Sequence, residues 1–234
     1  MTVAEYIKIV VLLPFYFLAI VRQPFVFYIS HLRFGRALAG AWSASITPLI
    51  VLNKVDLVDG LEQARARLAP IASLGVPVVE ACAHDTQATC EKLLPYLAGK
   101  TSLLLGQSGM GKSTLLNGLV PTAMAATREH SVALDMGKHT TTSTHLYHLP
   151  DGGYLIDSPG FQAFGLQHLT QSDIVRGFPE FSPYLEQCRF YNCKHLHEPG
   201  CGVLQALKQG EITADRYALY GRIVAENEAG RDKY

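Results

Sequence analysis

The chain has 234 residues, 48% hydrophobic and 17% charged, enough to bury one α/β domain plus a small appendage. Twenty basic and twenty acidic residues cancel and no long basic run occurs, so composition alone gives no sign of nucleic-acid binding. The five cysteines, three of them within fourteen residues near the C-terminus, suit a reducing cytoplasm better than secretion.

Residues 1–45 are an atypical apolar segment. Ile9–Val21 is apolar over 13 residues, interrupted only by Pro14, and Phe25–Ile29 forms a second apolar block. Lys8, Arg22, Gln23 and Pro24 bound the run, which falls short of the roughly eighteen residues of a spanning helix. A secretory leader fits poorly, with one lysine in front and an arginine soon after the apolar core. Three readings stand: a strand–helix portion of the adjoining domain, an attachment to membrane, or a segment altered by a sequence or start-site anomaly. The first is the expectation, and a membrane partner is not expected.

Ile50-Val51-Leu52 reads as a short buried strand with Asn53-Lys54-Val55-Asp56 at its C-terminal end, the edge of a parallel sheet where ligands bind. The Asp56 carboxylate can accept from both N1–H and the exocyclic amine of guanine, a donor pair that adenine lacks. Asn53 would brace the loop, and the Lys54 stem can lie over the base. Taken alone, N-K-x-D is a common turn; its weight comes from being paired with a phosphate loop further along the chain. A helix is expected over Leu61–Leu74 and a strand over Pro77–Ala81, ending in Cys82-Ala83-His84. That loop is either a contact to guanine O6 or a plain strand-to-helix connection.

Ser102–Leu105 is a further buried strand, followed by Gly106-Gln107-Ser108-Gly109-Met110-Gly111-Lys112-Ser113-Thr114 and a helical run. This is a complete G-x-x-x-x-G-K-S loop in its required strand–loop–helix setting. Its backbone N–H groups can curl around phosphates, aided by the helix N-terminus. Lys112 would reach the β- and γ-phosphates, and the Ser113 hydroxyl would ligate Mg²⁺. The guanine-type motif precedes the phosphate loop, whereas an ordinary GTP-binding domain has them in the opposite order. The fold expected is therefore α/β: a circularly permuted P-loop GTPase domain, mostly parallel sheet flanked by helices, over residues 46–167.

Met124–Met136 has the character of a switch loop, and Gly137-Lys138-His139-Thr140-Thr141-Thr142 then offers hydroxyls for a metal. Tyr154–Asp157 reads as a strand leading into Ser158-Pro159-Gly160. Asp157 would hold Mg²⁺ through water, and the Gly160 N–H would meet the γ-phosphate. Phe161 stands where many GTPases carry a water-orienting glutamine. His139 either takes over that task as the catalytic group, since a neutral imidazole can position water, or only anchors the loop.

Cys188, Cys193, His195 and Cys201 offer three sulfurs and one nitrogen, a closed tetrahedral set for structural Zn²⁺. Free thiols, or a disulfide with one cysteine left over, are the alternatives, and His197 could stand in for His195. Residues 168–234 are expected to form a small zinc-binding helical domain. Tyr217, Tyr220, Ile223 and Val224 lie along one face of a helical tail over Ala206–Glu228.

Taken in order, N-K-V-D, G-Q-S-G-M-G-K-S-T, G-K-H-T-T-T, D-S-P-G-F and C-x4-C-x-H-x5-C resemble the RsgA (YjeQ) family of bacterial ribosome-assembly GTPases over about residues 46–225. The resemblance implies hydrolysis of GTP to GDP, stimulated by the small ribosomal subunit during its late maturation. It also implies Mg²⁺, one structural Zn²⁺ and contact with ribosomal RNA. Carried over, Asn53, Lys54, Val55 and Asp56 read guanine, and Gly106–Thr114 hold the phosphates. Thr141, among the threonines after His139, ligates magnesium, and a switch-region histidine replaces the glutamine. Members begin with an OB domain that grips ribosomal RNA, for which Asn53 comes too early here. A module that holds GTP or GDP with little turnover is accordingly the rival reading. A cytoplasmic monomer is expected.

Overall fold

The computed structural model describes residues 7–14, 24–82, 85–106, 111–121, 123, 144–157 and 166–231. The chain divides into two units, residues 1–27 with 46–163, and residues 28–45 with 164–234.

The first unit is built on six strands: β1 (Ile7–Pro14), β2 (Thr47–Asn53), β3 (Val78–Ala81), β4 (Thr101–Leu105), β5 (His145–His148) and β6 (Tyr154–Asp157). Their order across the sheet is β3-β2-β1-β4-β6-β5, parallel throughout except for the edge strand β5. Parallel strands covered on both faces need continuous apolar runs. β2 meets that demand, with every residue after Thr47 buried. The apolar run near the N-terminus thus contributes a strand, and β1 occupies the middle of the sheet between β2 and β4. No helix among the described residues is long and apolar enough to cross a membrane.

Helices α2 (Leu61–Ala72), α3 (Thr86–Leu97) and α4 (Lys112–Leu119) connect the parallel strands. Asp85 caps α3 by accepting from the Ala88 N–H at 3.3 Å. Leu93 and Leu97 of α3, Leu115, Leu116 and Leu119 of α4, and Leu49, Leu104 and Leu155 of the sheet form one buried cluster. The helix expected to run to Leu74 stops at Ala72, where the chain turns through Gly75 at φ 84°.

The second unit takes most of α1 (Pro24–Ser43), together with α5 (Gln171–Arg176), a 3₁₀ stretch (Pro179–Gln187), α6 (Gly202–Gln209) and α7 (Ala214–Arg231). The expected single C-terminal helix is broken at Gly210, whose φ of 79° ends α6. Thr170 starts α5 with a reciprocal capping box: its hydroxyl accepts from the Asp173 N–H at 3.2 Å, and the Asp173 carboxylate accepts from the Thr170 N–H at 3.0 Å. α1 lies close to its partners because it meets them at small residues. A Cβ on Gly35 would stand 2.4 Å from Leu219 Cδ2, and one on Gly177 would stand 2.7 Å from the Ala39 carbonyl.

Phe178, Phe181 and Tyr220 are buried as an aromatic triad, with centroids 5.3, 5.2 and 5.0 Å apart. Arg216 is buried beside it, paired with Glu180 at 2.5 Å and lying over the rings of Phe178 at 4.6 Å and Trp42 at 5.3 Å. Truncation of a fully buried phenylalanine removes both its transfer energy and its packing. Phe181→Ala is therefore expected to destabilise this unit by about 3–5 kcal/mol, read as a lowered denaturation midpoint.

Candidate nucleotide and metal sites

The register of β1 places the guanine-type motif and the phosphate loop at one edge of the sheet. Val11 pairs with Ile50 on one side and with Leu105 on the other. Asn53 therefore lies three residues beyond the level of Leu105, two strands away, or roughly 10 Å across at ordinary strand spacing. Both strands run the same way, so both loops leave at the C-terminal edge.

Asn53 is buried at the end of β2, while Lys54 adopts a left-handed backbone at φ 68°. That conformation is uncommon outside glycine and marks a tight, specified turn. The Val55 N–H bonds the Ala81 carbonyl at 3.3 Å, tying the motif to the end of β3, and Asp56 is left exposed. The neighbouring loop is fixed in turn, because the Cys82 carbonyl accepts from the Thr89 hydroxyl at 2.6 Å and from the Asp85 N–H at 2.9 Å. Cys82 itself is half-buried, and Ala83 and His84 lie outside the described residues.

In the phosphate loop, Gly106 is buried and Gly111 has φ 90°, a value that suits glycine at the start of α4. Lys112 Nζ lies 2.9 Å from Asp157 Oδ1. The pair is close but not aligned as a hydrogen bond, so this buried oxygen has an ionic neighbour and no hydrogen-bond donor. The structure thus brings the loop lysine and the carboxylate at the end of β6 together, and Ser113 and Thr114 follow, both exposed, in the first turn of α4. Gln107, Ser108, Gly109, Met110, His139, Thr141 and Gly160 lie outside the described residues.

The second site is more tightly drawn. One donor atom each from Cys188, Cys193, His195 and Cys201 falls within a 4.8 Å group. Cys188 Sγ lies 3.6 Å from His195 Nδ1 and 3.9 Å from Cys201 Sγ, and His195 Nδ1 lies 3.4 Å from Cys201 Sγ. A tetrahedral ion with bonds of about 2.3 Å to sulfur and about 2.05 Å to nitrogen holds its ligands roughly 3.5–3.8 Å apart. The spacing and the donor set therefore fit a metal ion, with His195 rather than His197 as the nitrogen ligand.

Burial, and then the hydrogen-bonded Cys201 sulfur, push the Cys193 thiol up to about 12 against an opposing backbone hydrogen bond from His195. Burial likewise lowers the pKa of His195, against the opposing charge of Glu198. Packed thiols of this kind ionise readily only with a cation among them.

Sequence reasoning missed the groups that hold this loop in shape. Glu198 Oε1 accepts the Lys194 N–H at 2.8 Å, and Oε2 accepts those of Leu196 and His197 at 3.0 and 3.1 Å. Burial opposes its ionisation, but these backbone donors prevail and hold the carboxyl down at about 2. On the other side, the Tyr217 hydroxyl donates to the His195 carbonyl at 2.8 Å and the Tyr220 hydroxyl to the Lys194 carbonyl at 2.5 Å. The only sequence signal was an acidic residue three positions after a candidate ligand.

A permuted P-loop fold of the GTPase type, carrying a separate Cys3His cluster, is the class that these features define. Comparison with known proteins narrows it. A model of the RsgA GTPase family matches residues 21–167. The small ribosomal subunit biogenesis GTPase RsgA of Bordetella pertussis is 71% identical over 198 residues, covering 84% of this chain and 66% of that protein. The protein of the same name from Ralstonia nicotianae is 57% identical over 199 residues, covering 83% of this chain and 63% of its own length. The crystal structure of YjeQ from Thermotoga maritima superposes with a TM-score of 0.69 at 30% identity, over 94% of this chain and 70% of that one. YloQ, described as a circularly permuted GTPase, shares the fold at a TM-score of 0.69 and 24% identity, over 95% of this chain and 68% of that one.

The chain belongs to the RsgA GTPase family. It spans just under two thirds of the length of these two curated relatives.

If the cluster holds an ion, a chelator is expected to raise hydrogen exchange across 188–201 while leaving β2 and β4 unchanged. Equal exchange with and without chelator would show that the cluster holds no structural ion.

Proposed function

We infer that the chain binds GTP and hydrolyses it to GDP and phosphate, and that it does so on the small (30S) ribosomal subunit late in its maturation. The observation that carries this reading is the placement of N-K-V-D and the phosphate loop at one sheet edge, with Lys112 and Asp157 adjacent. The relatives' name, small ribosomal subunit biogenesis GTPase, supplies the setting.

In this reading Asp56 accepts from guanine, Asn53 and Val55 fix the loop, and Lys54 covers the base. Gly106–Thr114 hold the phosphates. Ser113 and Thr141 ligate Mg²⁺, with Asp157 behind it through water, and the Gly160 N–H meets the γ-phosphate. The buried Asp157 oxygen without a hydrogen-bond donor is suited to a hydrated cation. His139 orients the attacking water in place of the glutamine that Phe161 displaces. Zn²⁺ is the ion of the Cys3His cluster, closed to substrate and structural in role. Ribosomal RNA is the macromolecular surface engaged, and the protein acts as a cytoplasmic monomer.

The decisive assay is GTP hydrolysis by the purified chain with and without small ribosomal subunits. Strong stimulation is expected, and GTP binding with no stimulation would overturn the ribosomal role. Base reading has its own test. Asp56→Asn exchanges an acceptor for a donor and forfeits two charge-assisted hydrogen bonds, together about 3–6 kcal/mol. GTP affinity is expected to fall at least about a hundredfold, with xanthine nucleotides gaining at its expense. Unchanged GTP affinity would remove the base-reading role of Asp56.

A further inference from the structure

The stretch 194–198 carries one candidate metal ligand, His195, and its backbone is held from two sides. Three of its N–H groups, from Lys194, Leu196 and His197, converge on the Glu198 carboxylate at 2.8–3.1 Å. Two of its carbonyls, on Lys194 and His195, accept from the tyrosines of α7. Between these anchors His195 sits at φ 57°, a left-handed conformation uncommon outside glycine. That backbone turn directs Nδ1 toward Cys188 and Cys201.

We propose that Glu198 is the positioning residue of the metal centre. Its carboxylate gathers the 194–198 backbone into the left-handed turn that aims His195 at the cysteine sulfurs, so that the cage is set before an ion arrives. The proposal rests on reading Cys188, Cys193, His195 and Cys201 as a metal site. It predicts that the loop's affinity for metal depends on a residue that never touches the ion. An anionic carboxylate has acceptor capacity on both oxygens for three N–H groups. A glutamine at this position keeps one such oxygen and turns an amide donor toward the backbone donors, so the turn cannot close in the same way.

The test uses the full chain and two probes, Zn²⁺ in competition with a chromophoric chelator and Co²⁺ followed by absorption. Glu198→Gln is expected to weaken Zn²⁺ binding about ten- to a hundredfold, the range typical of groups that orient a ligand from behind. The Co²⁺ spectrum of the variant should also shift as His195 is released from the coordination sphere. Lys194→Ala removes only an exposed ion pair with Glu228 and leaves the Lys194 N–H in place, so its affinity should match the parent.

Tyr217→Phe probes the second anchor of the same turn. It removes the donor to the His195 carbonyl and should weaken Zn²⁺ severalfold. Parent-like affinity and an unshifted Co²⁺ spectrum in Glu198→Gln would overturn the positioning role. If that variant does not fold, Glu198→Asp takes its place, since the shorter carboxylate cannot reach all three N–H groups, and parent-like affinity there would do the same. A parent chain that takes up neither ion would instead overturn the metal reading itself, which keeps the two failures apart.

Discussion

The placement of the guanine-type motif and the phosphate loop at one sheet edge hangs on one non-local constraint, the parallel pairing of β1 with β2 on one side and β4 on the other. The guanine-type motif ends β2 and the phosphate loop follows β4, so β1 sets both their separation and their relative level. Removal of β1 would leave two short strands with unpaired backbone groups at the middle of a buried sheet, a cost that apolar burial cannot offset. The permutation is tolerated for the same reason. Position at the sheet edge depends on strand order and direction, not on which motif the ribosome synthesises first, and rejoining the chain elsewhere changes loop-closure entropy only slowly with loop length.

The second unit solves a different problem. Helices, a 3₁₀ stretch and irregular loops must share one core, and among the described residues no sheet organises them. The aromatic triad of Phe178, Phe181 and Tyr220 supplies the apolar centre, and the Tyr220 hydroxyl leaves that centre to bond the loop that carries His195. Arg216 shows how a charge is accommodated there. Its partner Glu180, bonded through Nε and Nη2, and the two aromatic faces replace part of the water it loses, while Nη1 is buried without a hydrogen-bond partner; a wholly unpaired buried guanidinium would cost several kcal/mol. Asn227 does similar service at the start of the unit. Its amide donates at 2.8 Å to the carbonyls of Gln167 and Leu169, fixing the chain where it is first described after β6.

Chain connectivity gives the two units an unusual relation. The boundary is crossed on both sides of most of α1, at 27–28 and 45–46, and again at 163–164. β2, which ends in the guanine-type motif, is therefore entered from the second unit, and the segment after Asp157 leads back into it. In the first unit, the strand that ends in the guanine-type motif and the strand that ends in Asp157 are each continuous with the unit that carries the Cys3His cluster. α1 belongs there because its small residues, Gly35 and Ala39, let neighbouring backbone and side chains approach closely.

What the sequence disclosed and what it withheld divide along a physical line. The phosphate loop, N-K-V-D and the cysteine–histidine spacing were readable because each encodes its geometry within a few consecutive residues: glycines where the backbone must turn, and ligands at intervals that a loop can close. The run around Ile9–Leu13 was readable as apolar but not as a central strand, since pairing between β1 and β4 joins residues about ninety positions apart and leaves no local trace. Thr170-Gln171-Ser172-Asp173 carried a capping-box pattern that local reading could have used to place α5. Glu198 could not have been recognised in this way. Its role depends on where the N–H groups of Lys194, Leu196 and His197 point, and that direction exists only after His195 has taken its left-handed turn. Arg216 reads as an ordinary solvent-facing charge on a helix until Trp42, far earlier in the chain, closes over it. Ligand residues announce themselves by type, whereas the residues that aim them are defined by backbone geometry and by partners distant in sequence.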